Sequence, residues 1–344
     1  MRLIFLILFT SITRTVLSSP FIWVANFTGN TVSVIDAATN QLVTLISQSE
    51  GMFDGPYSLA FTPDGSFAYV GNNIGDTVSV INTTTFQLVT LIPLSGALNN
   101  VVDVEVSPAG DLVMTANSNS GRVSVISTAT NTEIATLTTH LGSPQWIAFS
   151  ADGTLAYVTN GGLGNIAVIN TAALTVSQPS GLGLGSMVYP YSIAIAPNGE
   201  YAYVTSSDIG LVYIVNLLNN TVSGSIPIVT TPGQVVFASD GATAYVADNI
   251  NISVINTSNQ SVTQITAGIN AALFLAISSS QRLYATNQGT DDVAVFSTVT
   301  LGLLDTITTA EGSFNDPLFI RFQPEPAAST GQRPFQRPLN RRPR

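Results

Sequence analysis

The chain has 344 residues, 45% hydrophobic and only 9% charged, with a formal net charge of −10, no cysteine and a single histidine. Those values exclude a disulfide framework, a cysteine–histidine nucleophilic site and any multi-histidine metal centre. All twenty acidic residues fall within residues 20–326, against three arginines and no lysine there, which argues against binding of nucleic acid or anionic lipid by that body.

Residues 1–19 open with Arg2, continue through the apolar run LIFLILF and end VLSS. This order resembles a secretory signal peptide, and the apolar run is too short to span a bilayer. The expected location is therefore secreted, periplasmic or cell surface.

From Phe21 a six-residue phrase recurs seven times: FIWVAN, FAYVGN at Phe67, LVMTAN at Leu112, LAYVTN at Leu155, YAYVTS at Tyr201, TAYVAD at Thr243 and RLYATN at Arg282. The steps are 46, 45, 43, 46, 42 and 39 residues. Each phrase is followed by an Asn/Gly/Asp-rich loop and an alternating strand such as TVSVID. A small turn, a strand such as QLVTLI, a longer loop, a strand such as YSLAF and a PDG-type turn complete the unit. Short alternating β-branched and aromatic segments bounded by turn residues read as strands. Four antiparallel strands at this period predict a β-propeller blade, and seven copies predict an all-β, seven-bladed propeller over residues 20–326. The first copy starts at a second strand, and DPLFIRFQP at 316–324 matches the inner strand GPYSLAFTP at 55–63. The C-terminal strand is thus expected to join the first blade and close the ring.

The phrases AYVTN, NTVSVID and SPDG resemble the YVTN family of β-propeller repeats, over residues 21–326. That resemblance implies the fold. It implies little about activity, since related propellers serve as surface-layer, binding and cofactor-enzyme scaffolds.

Strand alternation makes a further prediction, because the inner strand of each blade lines the central channel. The channel positions are Ser58 and Ala60, Asp103 and Glu105, Trp146 and Ala148, Ser192 and Ala194, Gln234 and Val236, Phe274 and Ala276, and Phe319 and Arg321. Glu105 and Arg321 fall at one level on either side of Ala60, so they are expected to form an ion pair or to share one with Asp103. The loops leading into the inner strands carry Phe53, Tyr57, Tyr189, Tyr191 and Phe314, with Trp146 beside them. Aromatics around a shallow funnel suit a protein, peptide or glycan surface.

No catalytic constellation emerges. His140 lies alone in the loop TTHLGS, GLGLG at Gly181 lacks the strand-to-helix context of a dinucleotide loop, and the acidic loops match no calcium spacing. No cofactor, metal or catalytic residue is assigned. Six N-x-[ST] sequons occur, at Asn26, Asn82, Asn219, Asn251, Asn256 and Asn259; Asn-rich turns account for them as readily as glycosylation does. Residues 327–344, AASTGQRPFQRPLNRRPR, read as a disordered Pro/Arg-rich tail suited to an anionic surface.

The resulting expectation is an exported, monomeric, non-catalytic binding or structural propeller. It would recognise a protein, peptide or glycan through the loop face, with candidate residues Asp103, Glu105, Arg321, Trp146, Phe53, Tyr57, Tyr189, Tyr191 and Phe314. The alternative is a lactonase-like seven-bladed hydrolase using the channel carboxylates and Arg321.

Overall fold

The computed structural model describes residues 21–47, 52–185, 188–228, 231–308 and 314–324. The expected leader and tail lie outside them. Among the described residues, twenty-eight strands form seven four-stranded antiparallel sheets, and no α-helix occurs. Blade 1 takes Pro317–Phe322 as its inner strand, followed outward by Phe21–Asn26, Thr31–Asp36 and Gln41–Ile46. Pairing of Trp23 with Arg321 and of Ile22 with Phe322 closes the ring as the offset start of the repeat requires. Blades 2 to 7 each use four consecutive strands, beginning at Pro56, Val101, Pro144, Pro190, Val235 and Ala272.

The repeated phrase forms the second strand of every blade, and its residue types follow from what that strand touches. Blades stack face to face, so both sides of the strand are covered, and Ala68, Tyr69 and Val70 are all buried. The phrase tyrosine packs between blades and reaches the next one: Tyr69 Oη donates to Asn131 Oδ1 at 2.8 Å. The terminal asparagine ties the strand to its neighbours. Asn72 Nδ2 donates to Thr77 and Ser79 of the third strand at 2.9 Å each, and Asn160 Nδ2 reaches the His140 carbonyl at 3.0 Å. The threonine at the fifth position of the phrase serves the next blade's inner strand and its entry: Thr159 donates to the Tyr191 carbonyl and Thr205 to the Gly233 carbonyl, both at 2.8 Å. Each such bond satisfies a polar group that stacking would otherwise bury unpaired.

Two faces result. The loop face carries the loops leading into the inner strands and those joining second to third strands. The opposite turn face carries the PDG-type turns and the turns before the outer strands. In the PDG-type turns the glycine adopts a positive φ, as at Gly65 (69°) and Gly153 (71°), a region costly for other residues. The segment around Gly181 is a short 3₁₀ turn, Ser180–Leu182, with Leu182 fully buried. It follows an outer strand of only three residues, Thr175–Ser177, so a buried leucine partly replaces the missing strand. Of the sequons, Asn26 is fully buried and Asn251 7% exposed, whereas Asn219, Asn256 and Asn259 are exposed on turn-face turns.

Candidate functional site

The central channel is divided into two unlike halves. On the loop-face side it is filled by aromatic rings from five blades. Trp146 of blade 4 stacks on Phe274 of blade 7 at 6.1 Å and lies 5.6 Å from Phe319 of blade 1. Phe274 and Phe319 are 5.5 Å apart, and Tyr57 of blade 2 meets Phe274 edge-on at 6.0 Å. The Tyr57 and Tyr191 hydroxyls face each other at 3.4 Å. Contacts between blades that are not neighbours in the ring can be made only across the axis, so these rings form a plug. Burial pushes the pKa of both tyrosines up, that of Tyr191 well above the usual range, which keeps the phenols neutral.

The inner strands of six blades carry a backbone irregularity that strand alternation does not reveal. The register of the inner strand shifts between Pro56 and Ser58, and again between Pro190 and Ile193. The same shift recurs in the inner strands of blades 1, 3, 4 and 7, and Tyr57 and Tyr191 join the plug from one position earlier in the strand than Trp146, Phe274 and Phe319 do. Ser58, Asp103 and Ser192 are fully buried instead of facing an open channel. Each accepts a hydrogen bond from the next inner strand: Ser58 Oγ from Val104 N–H at 3.1 Å, Asp103 Oδ2 from Ile147 N–H at 2.8 Å and Ser192 Oγ from Val235 N–H at 3.3 Å. Gln234 Oε1 accepts from Leu275 N–H at 2.7 Å in the same way.

Asp103 thus occupies a place where serine and glutamine suffice. Its other oxygen accepts a bond from Ser58 Oγ at 3.0 Å. Burial, reinforced by the nearby Glu105 charge, pushes its pKa up to about 7, against the hydrogen bonds from Ile147 and Ser58 and the more remote Arg321 charge.

The turn-face half of the channel is an open cavity of about 490 Å³. Ala148, Ala194, Val236 and Ala276 form its walls, and Trp146, Gln234 and Phe319 lie toward the plug. The expected ion pair is here: Arg321 grips Glu105 through both terminal nitrogens, with Nη2 to Oε1 at 2.6 Å. Their side chains are 34% and 19% exposed. Burial would lower the Arg321 pKa, yet the paired Glu105 charge and its hydrogen bonds outweigh this and raise it, so the guanidinium stays charged. Asp103 does not join the hydrogen-bonded pair.

The remaining candidates separate clearly. Phe53 (7% exposed), Phe314 (5%) and Trp146 (7%) are buried, and Tyr57, Tyr189 and Tyr191 are half-buried. The loop face is therefore closed at its centre where a funnel was expected. Around it stand aliphatic side chains that the sequence reading did not single out: Ile74 (61% exposed), Leu98 (77%), Leu163, Ile209 and Ile250 (60%). Four of them interrupt Asn/Gly/Asp loops that need no apolar residue for their turns, and that interruption was a usable signal. His140 is an exposed loop residue with a left-handed φ of 58° and does not line the cavity. Among the described residues, no group of three or more metal-ligating side chains converges.

No protein-family model matches the chain, and no curated protein does. Solved structures match over nearly the whole ring. A protein of unknown function from Desulfotomaculum acetoxidans is 17% identical with a TM-score of 0.76, covering 90% of this chain and all of its own. A Bacteroides uniformis protein provisionally described as a 6-phosphogluconolactonase is 17% identical with a TM-score of 0.73, over 89% of this chain and 99% of its own. The periplasmic gluconolactonase PpgL of Pseudomonas aeruginosa is 16% identical with a TM-score of 0.72, over 88% and 99%. At these identities the likeness establishes the seven-bladed fold.

Proposed function

We propose that this chain is an exported, non-catalytic binding propeller of the YVTN-repeat kind, whose loop face docks a protein or peptide at the cell envelope. The observation that carries this reading is the set of exposed aliphatic side chains on the loop face, around a plugged axis. The plug closes the axis on that side, and apolar groups on a broad face suit a macromolecular partner. A glycan is less well served, because Trp146, Tyr57 and Tyr191 are committed to the plug and Phe53 and Phe314 are buried. The leader-like residues 1–19 support export. Among the described residues no helix is long and apolar enough to cross a membrane. The test is capture of envelope proteins by the full chain, compared with an Ile74→Asp/Ile250→Asp variant of unchanged fold. Equal capture by both would refute a loop-face site.

A second reading is favoured by a different observation. The turn-face cavity holds a carboxylate and an arginine, and a periplasmic gluconolactonase shares the fold. A lactonase-like reaction would use Arg321 to stabilise developing oxyanion charge and Glu105 to activate water. Both groups are spent on each other, and neither has a histidine beside it. Sugar-lactone hydrolysis by the wild type, abolished in Arg321→Ala, would establish this reading, whereas equal background rates would remove it.

A further inference from the structure

The cavity on the turn face has aliphatic walls on blades 4 to 7, the Glu105–Arg321 pair on its other side, and an acidic rim. Five consecutive blades place one exposed carboxylate each on the turn beside its mouth: Asp64, Asp111, Asp152, Glu200 and Asp240. Two arginines of the described residues lie on this face, and both are engaged. Arg321 is paired with Glu105, and Arg282 donates to the Ala37 carbonyl at 3.2 Å. The face therefore carries net negative charge around a pocket lined by aliphatic side chains and the Glu105–Arg321 pair.

The chain leaves the ring at this rim. Gln323 N–H bonds the Phe21 carbonyl at 2.8 Å, and Gln323 Nε2 bonds the Gly65 carbonyl of the blade 2 turn at 3.0 Å. Pro324 follows, against Gly65. The sequence beyond has the complementary pattern: RPFQ at 333–336 and RPLN at 337–340 place an apolar residue two positions after an arginine, and RRPR follows. Arg333 lies nine residues past Pro324. At about 3.1 Å per residue for an extended chain, it reaches out to about 28 Å from the rim.

We propose that residues 325–344 dock over the turn-face mouth of their own propeller, with Phe335 and Leu339 presented to the aliphatic cavity and the arginines to the rim carboxylates. Tethering at the rim converts a weak salt-sensitive contact into an intramolecular one, with an effective concentration in the millimolar range for a short linker. The tail then acts as a built-in occupant that shields the Glu105–Arg321 pair and leaves the loop face free. The proposal is independent of the loop-face reading, since it concerns the opposite side of the ring.

The test uses three full-length chains and one probe, a fluorescent peptide with the sequence of residues 325–344, followed by anisotropy. In the first variant the five tail arginines are changed to glutamine, which vacates the site. In the second, Asp152→Asn, Glu200→Gln and Asp240→Asn are added to those changes; the asparagines keep the turn-capping oxygens, and unchanged thermal unfolding confirms the fold. We expect the peptide to bind the tail-neutralised chain, at least tenfold more weakly to the wild type, whose own tail competes, and at least tenfold more weakly to the chain with neutral rim turns. Binding to the first variant should also weaken steeply with salt. No binding to the tail-neutralised chain would overturn the proposal, as would equal binding to it and the wild type. Equal binding to the chain with neutral rim turns would place the contact elsewhere and overturn it as well.

Discussion

Asp103 on blade 3 accepts a 2.8 Å hydrogen bond from the backbone N–H of Ile147, the inner strand of blade 4. The same bridge between neighbouring blades is made by neutral side chains at Ser58, Ser192 and Gln234. A carboxyl in this place is fully buried and holds its proton up to about pH 7. Below the ordinary aspartate range, folded and unfolded chains both carry the proton, and the bridge contributes its full stability. As pH rises toward 7 the unfolded chain releases the proton while the folded chain retains it, so stability falls. The Asp103→Asn variant can accept from Ile147 N–H through its amide oxygen and donate its amide N–H to Ser58 Oγ, without the charge. Its stability relative to wild type should rise between pH 4.5 and 7.5, measured by denaturant unfolding at several pH values. A difference that stays flat across that range would show that Asp103 is not protonated when folded.

The Glu105–Arg321 pair is expected to matter more when broken than when replaced. Arg321→Met leaves a partly buried carboxylate without its partner and should cost about 1–3 kcal/mol. The double change Glu105→Leu/Arg321→Met removes both charges and should recover most of that loss. The four chains of the double-mutant cycle, unfolded in urea, give the coupling directly. Additive effects would mean that the pair is not formed in solution.

Truncation within the plug should be the most damaging of these changes. Trp146 meets Tyr191, Phe274 and Phe319 across the axis and is 7% exposed. Trp146→Ala should cost about 3–5 kcal/mol, the range for a large buried aromatic. A loss below about 1 kcal/mol would indicate an open channel in place of a plug.

Two glycines separate backbone strain from crowding. Gly199 and Gly65 occupy equivalent turns with φ of 72° and 69°. A Cβ at Gly199 would meet nothing within 4 Å, so alanine there carries only the left-handed penalty, about 1 kcal/mol. A Cβ at Gly65 would collide with the Pro324 carbonyl. Gly65→Ala should therefore cost clearly more, and it should loosen the point at which the closing strand leaves the ring. Equal melting temperatures for the two variants would contradict that packing.

The ring, its seven blades and its closure were all legible in the sequence because each repeat carries the same strand pattern and the first and last units are complementary. The Glu105–Arg321 pair was legible for the same reason, since aligned inner strands put equal positions at equal heights. Alternation failed at Tyr57 and Tyr191, which lie within the register shift of the inner strand and whose rings nevertheless join the plug. Proline at 56, 144, 190 and 317 starts four of the shifted strands, yet Val101 and Ala272 start two others, so residue type marks the shift only in part. Nor does alternation foretell that Ser58 and Asp103 would turn to a neighbouring strand's N–H groups, because that choice is set by inter-blade spacing. The exposed isoleucines at 74, 209 and 250 were visible in the sequence, but only burial distinguishes an exposed aliphatic from one folded under its loop.

The loop-face assignment is tested most directly by binding of the full-length chain to envelope proteins of its source cell, measured side by side for wild type, Ile74→Asp/Ile250→Asp and Arg321→Ala. We expect a loss of at least tenfold in affinity for the loop-face variant and no change for Arg321→Ala. Absence of binding by the wild type would contradict the assignment, as would a loss confined to Arg321→Ala.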